Sequence, residues 1–210
     1  MQQPKRDIVD TAESSWVDAY RRLTEVVIPR PIALVGTVDR EGAANLAPFS
    51  FFTVVSSNPP FVAFSPHRLG RTGAKKDTLR NIETTGEFTI SVVTEAIAEK
   101  VNSCAAPLPY GDSEFEHSGL TPMTARKVKA PLVAESPVGL ECTVEELRSY
   151  GDEGGAGTLV VGRVVLFHID PAVRDAEDGS VLHDRLRAVG RMGGSLWCRT
   201  QDVFPLDRPS

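Results

Sequence analysis

Runs of β-type sequence follow one another here too closely for crossover connections. Ile32 to Val38 reads as a short apolar strand, Asp39-Arg40-Glu41-Gly42 as a turn, and Ala43 to Ser56 as the returning strand. "SSNPP" then turns into a further strand, Phe61 to Ser65. Parallel neighbours need a crossover of about a dozen residues or more, so these segments form an antiparallel meander. Val138 to Tyr150 and Thr158 to Asp170 repeat the pattern, joined by the glycine-rich hairpin "GDEGGAG". Six or more strands adjacent in sequence, with two or three helices, favour a closed antiparallel sheet over a βαβ layer.

The helices are placed by their ends. Asp10-Thr11-Ala12-Glu13 has an N-cap residue with a carboxylate three positions on, which predicts a helix from about Thr11 to Glu25. "IPRPI" stops it, because residues before proline avoid the helical region. Lys76 to Thr85 reads as a short helix, with Leu79 and Ile82 on one face and Gly86 closing it. Glu87 to Val93 is a strand, and Ala96 to Ala106 a helix ended by "PLPYGD". Residues 111–136 read as a long irregular excursion with one strand at most, the kind of loop that is functional or covers a partner. The 210 residues fit one domain: a helix at about 11–25, a barrel at about 28–170 and a tail at about 182–210.

Composition narrows the function. A hydrophobic content of 41% supplies a core, and a net charge of −5 argues against a general nucleic-acid binder. The start, "MQQPKRDIVD", is polar and holds no apolar signal region. No run approaches the roughly 18 apolar residues of a membrane helix. Cys104, Cys142 and Cys198 are widely spaced, with no CxxC pair, which fits a reducing cytoplasm better than a disulfide framework or a zinc site.

Several motifs are candidates for chemistry. "GGAGT", Gly154 to Thr158, leads into the strand-like "LVVGRVVLFHI" and not into a helix, so it reads as a hairpin and not as a phosphate loop. His67, His117, His168 and His183 form no i,i+4 pair, and there is no HExxH or GxSxG. "RTGAKKDTLRNI" is stronger: Arg71, Lys75 and Lys76 crowd a helix start that Asp77 and Thr78 can cap, a setting for a phosphomonoester or else a solvated basic turn. "AVGRMGGSLWCR" combines Arg191, two glycines and Trp197, either to cover a flat ligand ring or to tuck Trp197 into the core. Finally, Asn45-Leu46-Ala47-Pro48-Phe49-Ser50 puts proline inside a β-like run, which is expected at an edge, a bulge or a strand start.

Three stretches in order, "IPRPIALVGTVDREGAANLAPFSFFTVVSSNPPFVAFSP", "KKDTLRNIETTGEFTISVV" and "VGRMGGSLWCRT", resemble the flavin reductase-like family over about Ile28 to Thr200. This is the FMN-binding split-barrel group that includes reductase components of two-component monooxygenases. The resemblance implies a mainly β fold with flanking helices, a Greek-key split β-barrel that dimerises with FMN in a groove near the subunit interface. It implies that Asn45, Ala47, Pro48, Phe49 and Ser50 run beside the isoalloxazine. Lys76, Asp77 and Thr78, with Ser65 and Arg71 nearby, would hold the ribityl phosphate, and Arg30 and Arg191 would lie near the ring or phosphate. The expected activity is NAD(P)H:flavin oxidoreduction, with NADH or NADPH as co-substrate, no side chain as catalytic base, and a monooxygenase component as a possible recipient. The flavin carries the chemistry and the protein orients it. A flavin electron carrier or sensor, and a barrel binding haem or a deazaflavin, are the alternatives.

Overall fold

A computed structural model of the protein describes residues 5–109 and 112–209. Met1–Pro4, Tyr110, Gly111 and Ser210 lie outside it, and with them parts of "MQQPKRDIVD" and "PLPYGD". The first helix, α1, spans Trp16–Val26. Ser15 caps it by accepting from the Asp18 amide at 3.1 Å. The expected start at Thr11 is corrected: Asp10 caps a separate 3-10 turn, Thr11–Glu13, through the Ala12 amide at 2.8 Å.

Strands β1 (Arg30–Pro31), β2 (Ala33–Val38), β3 (Ala44–Phe49), β4 (Phe52–Ser57) and β5 (Pro60–Phe64) follow. Helix α2 (Asp77–Thr85) leads into β6 (Glu87–Val92), and Gly86 ends the helix with φ +70°, a backbone region that favours glycine. The helix expected over Ala96–Ala106 is shorter and divided, a 3-10 turn at Glu95–Ile97 and α3 at Ala98–Ser103. The excursion is more ordered than its composition suggests. It holds α4 (Glu114–Ser118) and two short paired strands, β7 (Pro122–Met123) and β8 (Leu132–Val133). The long hairpin is β9 (Val138–Tyr150) and β10 (Gly157–Ile169). The segment expected as a tail carries α5 (His183–Leu186), β11 (Val189–Arg191) and β12 (Trp197–Arg199). β11 and β12 join β1 in a three-stranded sheet, so this part of the chain is built into the fold.

The main sheet has seven strands in the order β3-β2-β6-β9-β10-β5-β4, and its ladders are antiparallel. Its two edge strands, β3 and β4, are consecutive in sequence and separated only by Ser50 and Phe51. Three peptide steps from Phe49 to Phe52 span at most about 11 Å. The sheet therefore curls until its edges meet at one corner, yet the two edges do not pair. The barrel is closed by the chain and left open along the ladder. The break expected at Pro48 falls two residues later, at Ser50-Phe51, and Pro48 itself pairs with Leu34 inside β3.

Inside the barrel, Val35, Phe49, Phe64, Phe88, Ile90 and Val160 form the core, and Leu79 and Ile82 of α2 pack against it. The opposite face of β2 and β3, Leu34 and Leu46, is covered by Val101 of α3 and Phe115 of α4, with Val133 beside them. β2 is thus buried on both faces, which explains its unbroken apolar sequence. A polar anchor lies under the excursion. The buried Glu141 carboxylate accepts from the amides of Arg126 (2.8 Å), Lys127 (2.5 Å) and Val128 (3.1 Å), and stands 2.6 Å from Nε2 of His168. Among the described residues no helix is long and apolar enough to cross a membrane.

Candidate functional site

A groove of about 340 Å³ runs between the open edge of β3 and the start of α2. Asn45, Ala47 and Pro48 form one wall, Lys75, Lys76, Asp77 and Thr78 a second, and Cys104 to Leu108 with Glu114 a third. That volume is within the usual range for small-molecule sites, about 300–1,000 Å³. A larger hollow of about 480 Å³ lies around the 39–42 turn, lined by Arg40, Glu41, Glu87 and Lys129. Its walls mix both charge signs on flexible stems, and it offers no helix start.

The start of α2 is where the expectation of capping is corrected. The N-cap residue is Lys76, and no side chain caps this end. Asp77 sits one position into the helix and pairs instead with Arg80 at 3.5 Å. Thr78 is buried, and its hydroxyl accepts from Asn45 Nδ2 at 3.0 Å. An uncapped helix start keeps N–H groups and the positive end of the helix dipole available to an anion. Lys76 adds a charge there. Its ammonium lies 5.4 Å from the Phe49 ring centroid, and among the described residues no carboxylate pairs with it. Burial pulls its pKa below the ordinary lysine value, because a desolvated cation without a counter-charge is costly. Lys75, by contrast, is neutralised by Glu83 at 2.6 Å. A phosphate would supply the anion that Lys76 lacks.

The β3 wall follows from strand geometry. Leu46 donates its N–H outward, to Glu114 at 3.0 Å. Backbone groups alternate in direction along an antiparallel strand, so Pro48 shares the outward register. A missing N–H there costs no ladder bond, and this is how an edge strand accommodates proline. Burial raises the Glu114 pKa, the Leu46 amide opposes that rise, and Asp77 nearby adds to it.

Of the twelve residues singled out from the sequence, the structure brings Asn45, Ala47, Pro48, Lys76, Asp77 and Thr78 together in this groove. The other six lie outside its walls. Phe49 is a core residue, tilted against Phe64 with centroids 5.2 Å apart. Ser65 lies under the β10 start, where a Cβ on Gly157 would come within 2.7 Å of its hydroxyl. Arg71 is exposed on the loop between β5 and α2. Arg30 is almost fully buried, 5% exposed. It donates to the carbonyls of Thr24 (2.5 Å), Val27 (2.9 Å) and Met192 (2.9 Å), and its Nε lies 3.4 Å from Ser50 Oγ. It ties the end of α1 to the barrel corner, a structural task. Arg191, opposite Arg30 in the β1–β11 register, donates to the Gly194 carbonyl at 2.7 Å and lies 5.2 Å from the Trp197 ring centroid.

Sequence reasoning missed Glu114 and the 104–108 wall as site components. The only signal for Glu114 is the length of the excursion that contains it, and residues 104–108 fall at the end of the expected helix and in the "PLPYGD" run after it. It also passed over His67, which packs edge-on against Phe51 (4.7 Å) and Tyr20 (5.9 Å). Burial lowers the His67 pKa, and the charge of Lys76 lowers it further. The "GGAGT" stretch is the hairpin expected: a Cβ on Gly154 would come within 2.3 Å of the Gly70 carbonyl, so the hairpin packs closely on the loop before α2.

The model of the flavin reductase like domain family matches residues 25–190. The Bacillus subtilis protein YwrF is 42% identical over 205 residues, 97% of this chain and 99% of that protein. The structure of nitrilotriacetate monooxygenase component B from Bacillus cereus superposes with a TM-score of 0.90 at 32% identity, over 97% of this chain and 100% of that one. The 2-nitrobenzoate 2-nitroreductase of Pseudomonas fluorescens superposes with a TM-score of 0.87 at 28% identity, over 97% of both chains. The antiparallel barrel with flanking helices is the flavin reductase split-barrel fold. With the family match covering most of its length and a relative above 40% identity, the chain belongs to the flavin reductase-like domain family.

Proposed function

We propose that the protein binds FMN in the β3–α2 groove and acts as an NAD(P)H:flavin oxidoreductase. One observation carries the cofactor reading: the uncapped start of α2 beside a desolvated, unpaired Lys76. A phosphomonoester supplies the missing cap and counter-charge together. In this reading Lys76, Thr78 and the Asp77 amide hold the phosphate. Asn45, Ala47 and Pro48 line the ring. FMN supplies the hydride-accepting ring, and NADH or NADPH the hydride. The chain's own residues bind and orient, and none acts as acid or base. Because the Bacillus cereus relative is a monooxygenase component B, we assign the reduced flavin to a monooxygenase component as recipient.

The active form in this proposal is a homodimer of single-domain subunits. On α1, Trp16, Val17, Tyr20 and Leu23 are exposed, as are Val54 and Val55 on β4 and Val203, Phe204 and Leu206 near the C-terminus. Apolar surface of this extent marks an interaction face.

The test is the colour of the purified protein and its response to reductant. The chromophore released by heat is run against FMN, FAD and riboflavin standards, and the holoprotein is titrated anaerobically with NADH and NADPH. FMN recovered and bleached by a nicotinamide is expected. Recovery of FAD or haem overturns the cofactor. A flavin that neither nicotinamide reduces overturns the activity and leaves an electron carrier.

A further inference from the structure

The indole of Trp16, at the first position of α1, packs against two loops that meet beneath it. A Cβ on Gly70 would come within 3.1 Å of the ring, and one on Gly155 within 2.6 Å. Bare backbone at both positions lets the ring lie this close. Gly154 closes the seam between the loops, since a Cβ there would come within 2.3 Å of the Gly70 carbonyl. Trp16, half exposed, thus fills a slot made by three glycines.

One side of that slot is the loop that delivers the cations of the groove. Leu69, next to Gly70, lines the groove with Lys75 and Lys76. The loop is a hydrogen-bonded unit. The Leu69 amide donates to the Ala74 carbonyl at 2.9 Å, and the Gly73 amide to the Leu69 carbonyl at 2.8 Å. Arg68 Nη1 donates to the Gly73 carbonyl at 2.9 Å. Its base is paired to the β9–β10 hairpin: the Arg68 amide donates to the Ala156 carbonyl at 2.9 Å, and the Gly155 amide to the Arg68 carbonyl at 3.2 Å. A shift of Gly70 is therefore carried through Leu69 and Ala74 to Lys75 and Lys76, which follow directly.

We propose that Trp16 is a positioning residue for the phosphate end of the groove. By filling the slot over Gly70 and Gly155 it sets the 68–74 loop, and through that loop the place of Lys76 at the start of α2. Trp16 itself lies outside the groove wall. This inference rests on the phosphate reading above. A purely structural role is the competing account, because a packed indole also fastens α1 to the barrel. The two accounts differ in selectivity. If Trp16 only fastens α1, its loss weakens every flavin alike. If it sets the loop, its loss acts on the phosphate and spares the ring.

The experiment titrates full-length apoprotein by flavin fluorescence with FMN and with riboflavin, which keeps the ring and ribityl chain and lacks the phosphate. The wild type should prefer FMN by at least about tenfold, the effect of one charge-assisted hydrogen bond. Trp16→Ala should lower that ratio about threefold or more, with riboflavin affinity held within about twofold. Trp16→Phe keeps a ring in the slot and should retain the ratio. Gly70→Ala displaces the indole and should lower the ratio in the wild-type chain, yet add nothing in Trp16→Ala, where the ring is gone. Without flavin, trypsin should cleave after the exposed Arg71 about threefold faster or more in Trp16→Ala, because the loop opens more often. An unchanged ratio in Trp16→Ala, equal weakening of both flavins, or cleavage as slow as in the wild type overturns the proposal. Should Trp16→Ala not fold, an unchanged ratio in Gly70→Ala overturns it. A wild-type ratio near one overturns the phosphate reading, and this inference with it, before any variant is made.

Discussion

The ammonium of Lys76 stands 5.4 Å from the centroid of the Phe49 ring, so a core aromatic forms the floor beneath the cation at the start of α2. A ring face attracts a cation but does not neutralise it. Burial lowers the Lys76 pKa, and an incoming phosphate dianion would raise it again. This residue pair links the barrel core to the proposed cofactor site.

Removing that charge should therefore affect binding more than chemistry. Lys76→Ala is expected to weaken FMN by about ten- to a hundredfold, the worth of one charge-assisted hydrogen bond. The rate of flavin reduction at saturating FMN should change little, because the phosphate lies at the far end of the ribityl chain from the reacting ring. Fluorescence titration and stopped-flow reduction measure the two quantities. An unaltered FMN affinity would remove the phosphate from this helix.

Arg30 should matter for stability whether or not flavin is present. Arg30→Leu leaves the carbonyls of Thr24, Val27 and Met192 without their donor. The Thr24 carbonyl is buried and the other two are partly so, and a buried acceptor stranded this way costs about 1–3 kcal/mol. A fall in Tm of at least about 4 °C is expected for a chain of this size. Thermal unfolding of the apoprotein measures it. A Tm equal to wild type without flavin, with a loss only when FMN is added, would return Arg30 to the cofactor.

Acid should act on the excursion through Glu141. Burial opposes its ionisation, but His168 and the amides of Arg126, Lys127 and Val128 outweigh burial, and its pKa lies below the ordinary carboxylate value. A carboxylate whose folded pKa is depressed contributes stability above its unfolded pKa, and that contribution is lost as pH falls through the lower folded value. Glu141→Gln should lower Tm near pH 7 by removing the charged acceptor. It should also flatten the decline of Tm between about pH 5 and pH 3. Parallel acid limbs for variant and wild type would show that Glu141 does not set this dependence.

The exposed face of α1 gives a test of assembly. Leu23 is half exposed in the single chain, so Leu23→Glu should leave the barrel folded. In the proposed dimer it would bury a charge in an interface of about 2,000 Å² or more. Light scattering should report a dimer for the wild type and a monomer for Leu23→Glu at micromolar concentration. A wild-type monomer that binds FMN stoichiometrically would sink the dimer.

What the sequence by itself determined is local. Strand adjacency fixed the antiparallel sense of the β2–β3, β4–β5 and β9–β10 pairs, since short turns cannot carry crossovers. The hairpin at "GDEGGAG", the Gly86 helix stop and the cation-rich start of α2 were all readable from neighbours within a few residues. Asn45, Ala47, Pro48, Lys76, Asp77 and Thr78, singled out by the family resemblance, line one groove, and of these only the helix-start residues were marked by the local sequence itself. Only the tertiary structure decided which end of a segment does what. Asp77 and Thr78 have capping side chains, yet Thr78 is drawn to Asn45 and Asp77 to Arg80, so the helix start stays open. Arg30 looks like an anion binder in "PRP", yet three carbonyls distant in sequence or around a turn surround it. Glu114 sits in a stretch without a motif, and it reaches Leu46 across 68 residues. Hydrogen-bond partners that far apart leave no periodicity in the chain. They are chosen when the sheet curls and brings β3, α2 and α4 around one groove.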